Sequence, residues 1–172
     1  DSVYLFLQGK ITQVPPAARR YPSLTANNND KVKSFFRYLS YAKNSEDFAV
    51  QDVSNYWDYE ETKNNRPKAA TFANLLSGLN AAFADTKDAF VKQRYWFQLV
   101  RFYFNFDAPK AIQLFEQNQA NFSKNTLYYR TMAYAAGAYY KQKNYAQANY
   151  YYSLVFDAGN NLNVFLDTTD AD

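Results

Sequence analysis

The chain has 172 residues and a mass of 20.0 kDa, enough for one domain with a core or a short array of repeats. Aromatic residues make up 20%, with 17 Tyr and 15 Phe, while Gly (4) and Pro (5) are scarce, which argues against disorder and against a turn-rich β-sandwich. The net charge of +3 is scattered, with no basic run longer than Arg19-Arg20, so no extended nucleic-acid footprint is expected. Cysteine and histidine are both absent. Disulfides, Cys/His zinc sites, serine–histidine triads and histidine acid–base catalysis are thereby removed. Carboxylate, lysine, tyrosine and arginine chemistry remains. No stretch of about eighteen apolar residues occurs, so no membrane-spanning segment is expected. The chain opens at Asp1 without a start methionine and is expected to be a mature or excised piece.

Residues 1–29 read as an irregular N-terminal segment. VYLFLQGKI is expected as a short strand or extended anchor, VPPAARRYP is broken by proline, and TANNND is a turn able to cap a helix. From Asp30 the spacing of Val32, Phe35, Phe36, Leu39 and Ala42 predicts a helix, with KNSED as a break and a shorter helix over Phe48 to Val53. NYWDYEETKNNRP reads as an aromatic, acidic loop ending at Pro67, a first-turn proline. Helices are then predicted over Pro67 to Ala84, Asp88 to Asn105, Asp107 to about Asn118, Ser123 to Lys143, and Tyr145 to Phe156 capped by Asn144. The short connections make consecutive helices antiparallel neighbours. Residues 158–172 read as a tail or linker, because DAGNNLNVFLDTTDAD lacks the spacing of a calcium loop.

The last four helices form two similar pairs. RYWFQLVRFYFNFDAPKAIQLF and TMAYAAGAYYKQKNYAQANYYY align with Ala111 over Ala148 and Phe115 over Tyr152. That offset, about 37 residues, is close to the 34 of a tetratricopeptide repeat. In the second pair Ala136, Tyr139, Tyr145, Ala148 and Tyr152 resemble that repeat's small and aromatic positions. In the first pair Leu99, Phe102, Ala108, Ala111 and Phe115 do so. On a wider scale, FFRYLSYAKNSEDF…WDYEE, AFVKQRYWFQLVRFYF and LYYRTMAYAAGAYYKQKNYAQANYYYSLVFD resemble tetratricopeptide-like (TPR-like) cell-envelope lipoproteins of Bacteroidetes, over residues 30–157. The resemblance implies an export route, a cell-envelope location and a binding or scaffold role without a known reaction.

QRYWFQLVRFYF, within the predicted helix over Asp88 to Asn105, concentrates the strongest signal. At about 100° per residue, Lys87, Arg94, Gln98, Arg101 and Asn105 fall on one stripe about 60° wide. Aromatic and aliphatic residues fill nearly all the rest, the signature of a helix buried on several sides. Two readings of the stripe stand side by side. In the first, Arg94 and Arg101 floor a groove for carboxylate or phosphate, with Trp96 or Tyr103 near for stacking. In the second they are a structural pair, neutralised by Asp58, Glu60 and Glu61 or by Glu116. The repeat alignment turns Gln98 and Arg101 inward, and Trp96, Phe97, Val100 and Tyr103 toward the concave side.

Tyr134 and Tyr140, beside Arg130 and Lys141, extend the candidate groove, since tyrosine offers a rigid apolar body with a polar tip. The expected fold is therefore all-α: a right-handed stack of antiparallel helix pairs, TPR-like, behind an irregular N-terminal segment. The expected function is non-catalytic, a scaffold holding a protein or extended peptide, with no cofactor, metal or nucleic acid. The alternative is a carbohydrate-binding accessory protein of an outer-membrane glycan-uptake system, using Trp57, Tyr59 and Tyr134.

Overall fold

The computed structural model describes residues 2–7, 10–19, 30–53 and 69–162. Among these the regular structure is helical and no strand is present, so the all-α expectation holds. The helices are α1 (Ser2–Leu7), α2 (Pro16–Arg19), α3 (Asp30–Val53), α4 (Ala69–Asp85), α5 (Ala89–Phe106), α6 (Ala108–Asn118), α7 (Thr126–Lys141) and α8 (Tyr145–Leu162). A short 3₁₀ turn, Gln119–Asn121, follows α6. The chain divides into two compact units, Asp1–Val91 and Lys92–Asp172.

In the first unit two sequence expectations are corrected. The start of VYLFLQGKI is helical rather than a strand or extended anchor: Ser2–Leu7 forms one and a half turns, and the Lys10 amide donates to the Leu5 carbonyl at 2.9 Å. Leu5, Phe6 and Leu7 do not alternate with polar residues as a half-buried strand requires, and Phe6 meets Phe36 of α3 edge-on at 5.7 Å. KNSED does not break α3, which runs unbroken from Asp30 to Val53. Three of its polar side chains are satisfied within the helix, Ser45 Oγ donating to the Tyr41 carbonyl at 2.7 Å and Lys43 pairing with Glu46 at 2.7 Å. That exposed pair adds only a few tenths of a kcal/mol, so continuity rests mainly on packing. Gly78 of α4 lets α3 approach closely, since a Cβ there would stand 2.7 Å from the Tyr41 hydroxyl.

In the second unit, helix starts follow one local rule. Asp107, Asn125 and Asn144 each accept a hydrogen bond from the amide three residues on, at 3.1, 3.0 and 3.2 Å. Asp88 does the same for Val91 at 3.0 Å at the start of α5, in the first unit. Pro109 reinforces the start of α6. Side-chain contacts then fix helix directions. Tyr103 lies beneath Lys110 while Trp96 stacks on Phe115, so α5 and α6 are antiparallel. Tyr139 stacks on Tyr151, and Tyr128 and Ala158 line one cavity, so α7 and α8 are antiparallel. Gln93 meets Asn125 while Phe104 meets Lys141, so α5 and α7 run side by side in the same direction.

The core of this unit collects around Trp96, which is fully buried. Its ring stacks on Phe115 at 5.5 Å and touches Phe122 at 4.8 Å and Tyr128 at 5.9 Å. Ala111, Ala135, Ala136, Ala138 and Ala148 are fully buried and let the helices close in. Gly137 admits the Phe104 ring, from which an added Cβ would stand 2.8 Å. α8 continues past Phe156 to Leu162 and buries Ala158, so the reading of residue 158 as the start of a linker is corrected. Residues 163–172 lie outside the described residues.

The turn between α7 and α8 carries a local cost. Lys143 sits at φ 61°, a left-handed conformation, while the Asn144 amide reaches back to the Tyr139 carbonyl at 3.0 Å. Lys143→Gly is expected to stabilise the protein by about 0.5–1 kcal/mol, read as a higher urea midpoint at unchanged slope.

Candidate functional site

The structure brings four of the nine predicted groove residues together. Phe97 and Arg101 of α5, Arg130 and Tyr134 of α7, with Tyr129 and Val155, line a cavity of about 460 Å³. On each helix the arginine and its aromatic partner are four residues apart and so share a face. Phe97 meets Tyr134 edge-on at 5.9 Å, and the Arg101 guanidinium lies 5.7 Å from the Phe97 ring centre. Tyr134 also meets Phe104 edge-on at 5.4 Å. The aromatic wall is thus held by packing on both sides. Among the described residues no carboxylate lines the cavity, and neither Arg101 nor Arg130 has an ion pair.

The other five residues stand elsewhere. Trp96 is in the core, its indole N–H donating to the Leu114 carbonyl at 3.2 Å, and cannot stack on a ligand. Tyr103 is 6% exposed, covered by Lys110 at 5.3 Å. Arg94 is half-buried and held by an interaction of its own. Tyr140 is exposed and leans on Tyr145 at 5.2 Å. Lys141 donates to the Phe104 carbonyl at 2.8 Å, with its ammonium 3.8 Å from that ring's centre. It satisfies a carbonyl in the last turn of α5, the structural use of a cation near a helix C-terminus.

Of the acids read as alternative partners for the arginines, Glu116 accepts a hydrogen bond from the Tyr139 hydroxyl and has no ion pair among the described residues. Asp58, Glu60 and Glu61, and the glycan-site candidates Trp57 and Tyr59, lie outside the described residues. The register splits the aromatic face of α5. Trp96 and Val100 turn into the core together with Gln98, while Phe97 and Arg101 reach the cavity.

A second cavity, of about 530 Å³, adjoins the first at Tyr129. Tyr128 and Met132 of α7 face Tyr150, Tyr151 and Leu154 of α8 across it, with Lys124 and Asp157 at its edge. Sequence reasoning missed Tyr129 and this whole cavity. The available signal was YY at 128–129 facing YYY at 150–152 across a short turn. Tyr128 is fixed by contacts to Trp96 and Phe115, and Tyr151 by contacts to Phe115 and Tyr139.

Burial pushes the Tyr128 hydroxyl above the usual tyrosine range. Burial, and then the hydrogen bond to the Glu116 carboxylate, push Tyr139 up further. Above about pH 10 the folded protein therefore keeps protons that the unfolded chain has lost. The associated stability is fully present below about pH 10 and is lost as pH rises through the raised folded values. The urea midpoint is expected to fall between about pH 8 and about pH 11, and to fall less in Tyr139→Phe.

Among the described residues no group of three acidic side chains is placed to hold a metal, and no helix is long and apolar enough to cross a membrane. Compared with protein-family models, curated proteins and solved structures, the chain matches none.

Proposed function

We propose that Lys92–Leu162 is a non-catalytic, peptide-binding module of TPR-like helical hairpins, serving as a scaffold in the cell envelope. The observation that carries the binding role is the cavity at Phe97 and Tyr134. Among the described residues it sets two arginines without ion pairs beside fixed aromatic rings, with no acid in its lining. Arginine's planar fork suits a carboxylate, and tyrosine and phenylalanine walls suit the apolar part of the same ligand. The hairpin reading draws support from contacts between equivalent positions of the two pairs. Phe104 bonds Lys141 across 37 positions, and Phe97 meets Tyr134 at the same separation. The envelope location rests on the sequence resemblance alone.

The test is binding of acidic peptides, followed by fluorescence anisotropy at about 0.05 and 0.15 M salt. Arg130→Ala, at an exposed position, is expected to leave the unfolding free energy within about 0.5 kcal/mol of wild type and to weaken binding about tenfold or more. Arg101→Ala is expected to weaken binding similarly. Equal affinity in wild type and both variants would remove the cavity from the function.

A further inference from the structure

Resting on the peptide-binding reading, we infer that the two cavities joined at Tyr129 select one motif: an acidic side chain and, two residues away, a bulky aromatic side chain. The two differ in charge. Among the described residues the first cavity carries Arg101 and Arg130 and no acid, while the second carries Lys124 and Asp157, whose charges offset each other, and walls of tyrosine, Met132 and Leu154. An acid seated in the second cavity finds no net positive charge, since Asp157 offsets Lys124, whereas the first cavity offers two arginines, which favours the motif over its reverse. An aromatic seated there meets rings already fixed by the core, so little ordering accompanies its binding.

The spacing follows from the divider. A single side chain, Tyr129, lines both cavities. In an extended peptide, side chains on one face recur every second residue, about 7 Å apart, roughly the breadth of one tyrosine ring. Adjacent residues point to opposite faces and cannot enter both cavities. The partner is therefore an extended segment carrying acid, any residue, aromatic. Lys124 and Asp157 have no hydrogen bond or ion pair among the described residues and are open to the partner's backbone.

The experiment uses fluorescein-labelled peptides, acetylated and amidated, in a glycine–serine frame and titrated with the whole chain. The parent carries aspartate, serine and phenylalanine in that order. Replacing its aspartate or its phenylalanine by alanine, or placing the two side by side, is expected to weaken binding about tenfold or more. Tyr150→Ala, at an exposed position, is expected to abolish discrimination between the parent and the phenylalanine-free peptide. Asp157→Lys is expected to bind a peptide with aspartate at both motif positions about tenfold more tightly than wild type does. If the phenylalanine-free peptide binds wild type as tightly as the parent, while the aspartate-free one does not, the two-cavity motif is overturned and the peptide-binding reading stands. If a peptide whose only acid is a free C-terminal carboxylate matches the parent, the side-chain acid is overturned. If no peptide binds at all, both readings fall.

Discussion

Replacing Trp96 with alanine is expected to cost about 3–5 kcal/mol, enough to leave a small domain only marginally folded. The magnitude follows from complete burial and three ring contacts, to Phe115, Phe122 and Tyr128, that no neighbouring side chain can replace. Trp96→Phe separates the packing from the hydrogen bond. The Leu114 carbonyl also accepts from the Asn118 side chain at 3.0 Å, so losing the indole donor leaves it satisfied. Trp96→Phe is therefore expected to cost much less, about 1–2 kcal/mol, chiefly through lost volume. Urea unfolding of both variants, followed by circular dichroism, measures the difference. A mild alanine variant would show that the core is not built around this ring.

Asn125 carries the second large effect. Its side-chain oxygen caps α7 at the Tyr128 amide at 3.0 Å, and its amide donates to Gln93 Oε1 at 3.0 Å. Gln93 is 5% exposed, and its Nε2 reaches the Ser123 carbonyl at 2.8 Å and Asn125 Oδ1 at 3.2 Å. Asn125→Ala removes the cap, about 1 kcal/mol, and leaves the buried Gln93 oxygen without its donor, about 1–3 kcal/mol more. The expected total is about 2–4 kcal/mol. Asn125→Asp keeps the capping oxygen and suits the helix N-terminus, but cannot donate to Gln93. It should lose about half as much. A double-mutant cycle with Gln93→Ala is expected to return a coupling of about 1 kcal/mol or more, and strict additivity would dissolve the proposed clamp.

These two sites show which parts of the fold were legible from sequence. Asn144 announced its helix because capping is local chemistry, readable from three or four residues. The burial of α5 was legible for the same reason, since its apolar residues cover most of one helical wheel. The first helix was misread because six residues are too few to separate a helix from a strand by periodicity. KNSED looked like a break because its residues favour turns in isolation, while within the helix Ser45 bonds the Tyr41 carbonyl and Lys43 pairs with Glu46. Gln93 was invisible, because nothing local distinguishes a glutamine that clamps a distant cap from one that faces solvent.

The candidate site was half legible. Arg101 with Phe97, and Arg130 with Tyr134, stand out as pairs on one helix face. Trp96, Tyr103 and Lys141 were drawn into the groove by their chemistry, but a rotation of about 100° between neighbours on a helix sends Trp96 to the core and Phe97 to the cavity. Sequence fixes that choice only through tertiary packing. The cavity around Tyr128 and Tyr150 needed the α7–α8 pairing before its two tyrosine runs could be seen to face each other.

The most direct measurement is a titration of the whole chain with the aspartate–serine–phenylalanine peptide, following the side-chain Nε–H signals of its arginines by nuclear magnetic resonance. Saturable movement of the Arg101 and Arg130 signals at one shared affinity, with Arg19 and Arg37 unmoved, is the predicted result. Binding of the peptide with Arg101 and Arg130 both unmoved would contradict the account.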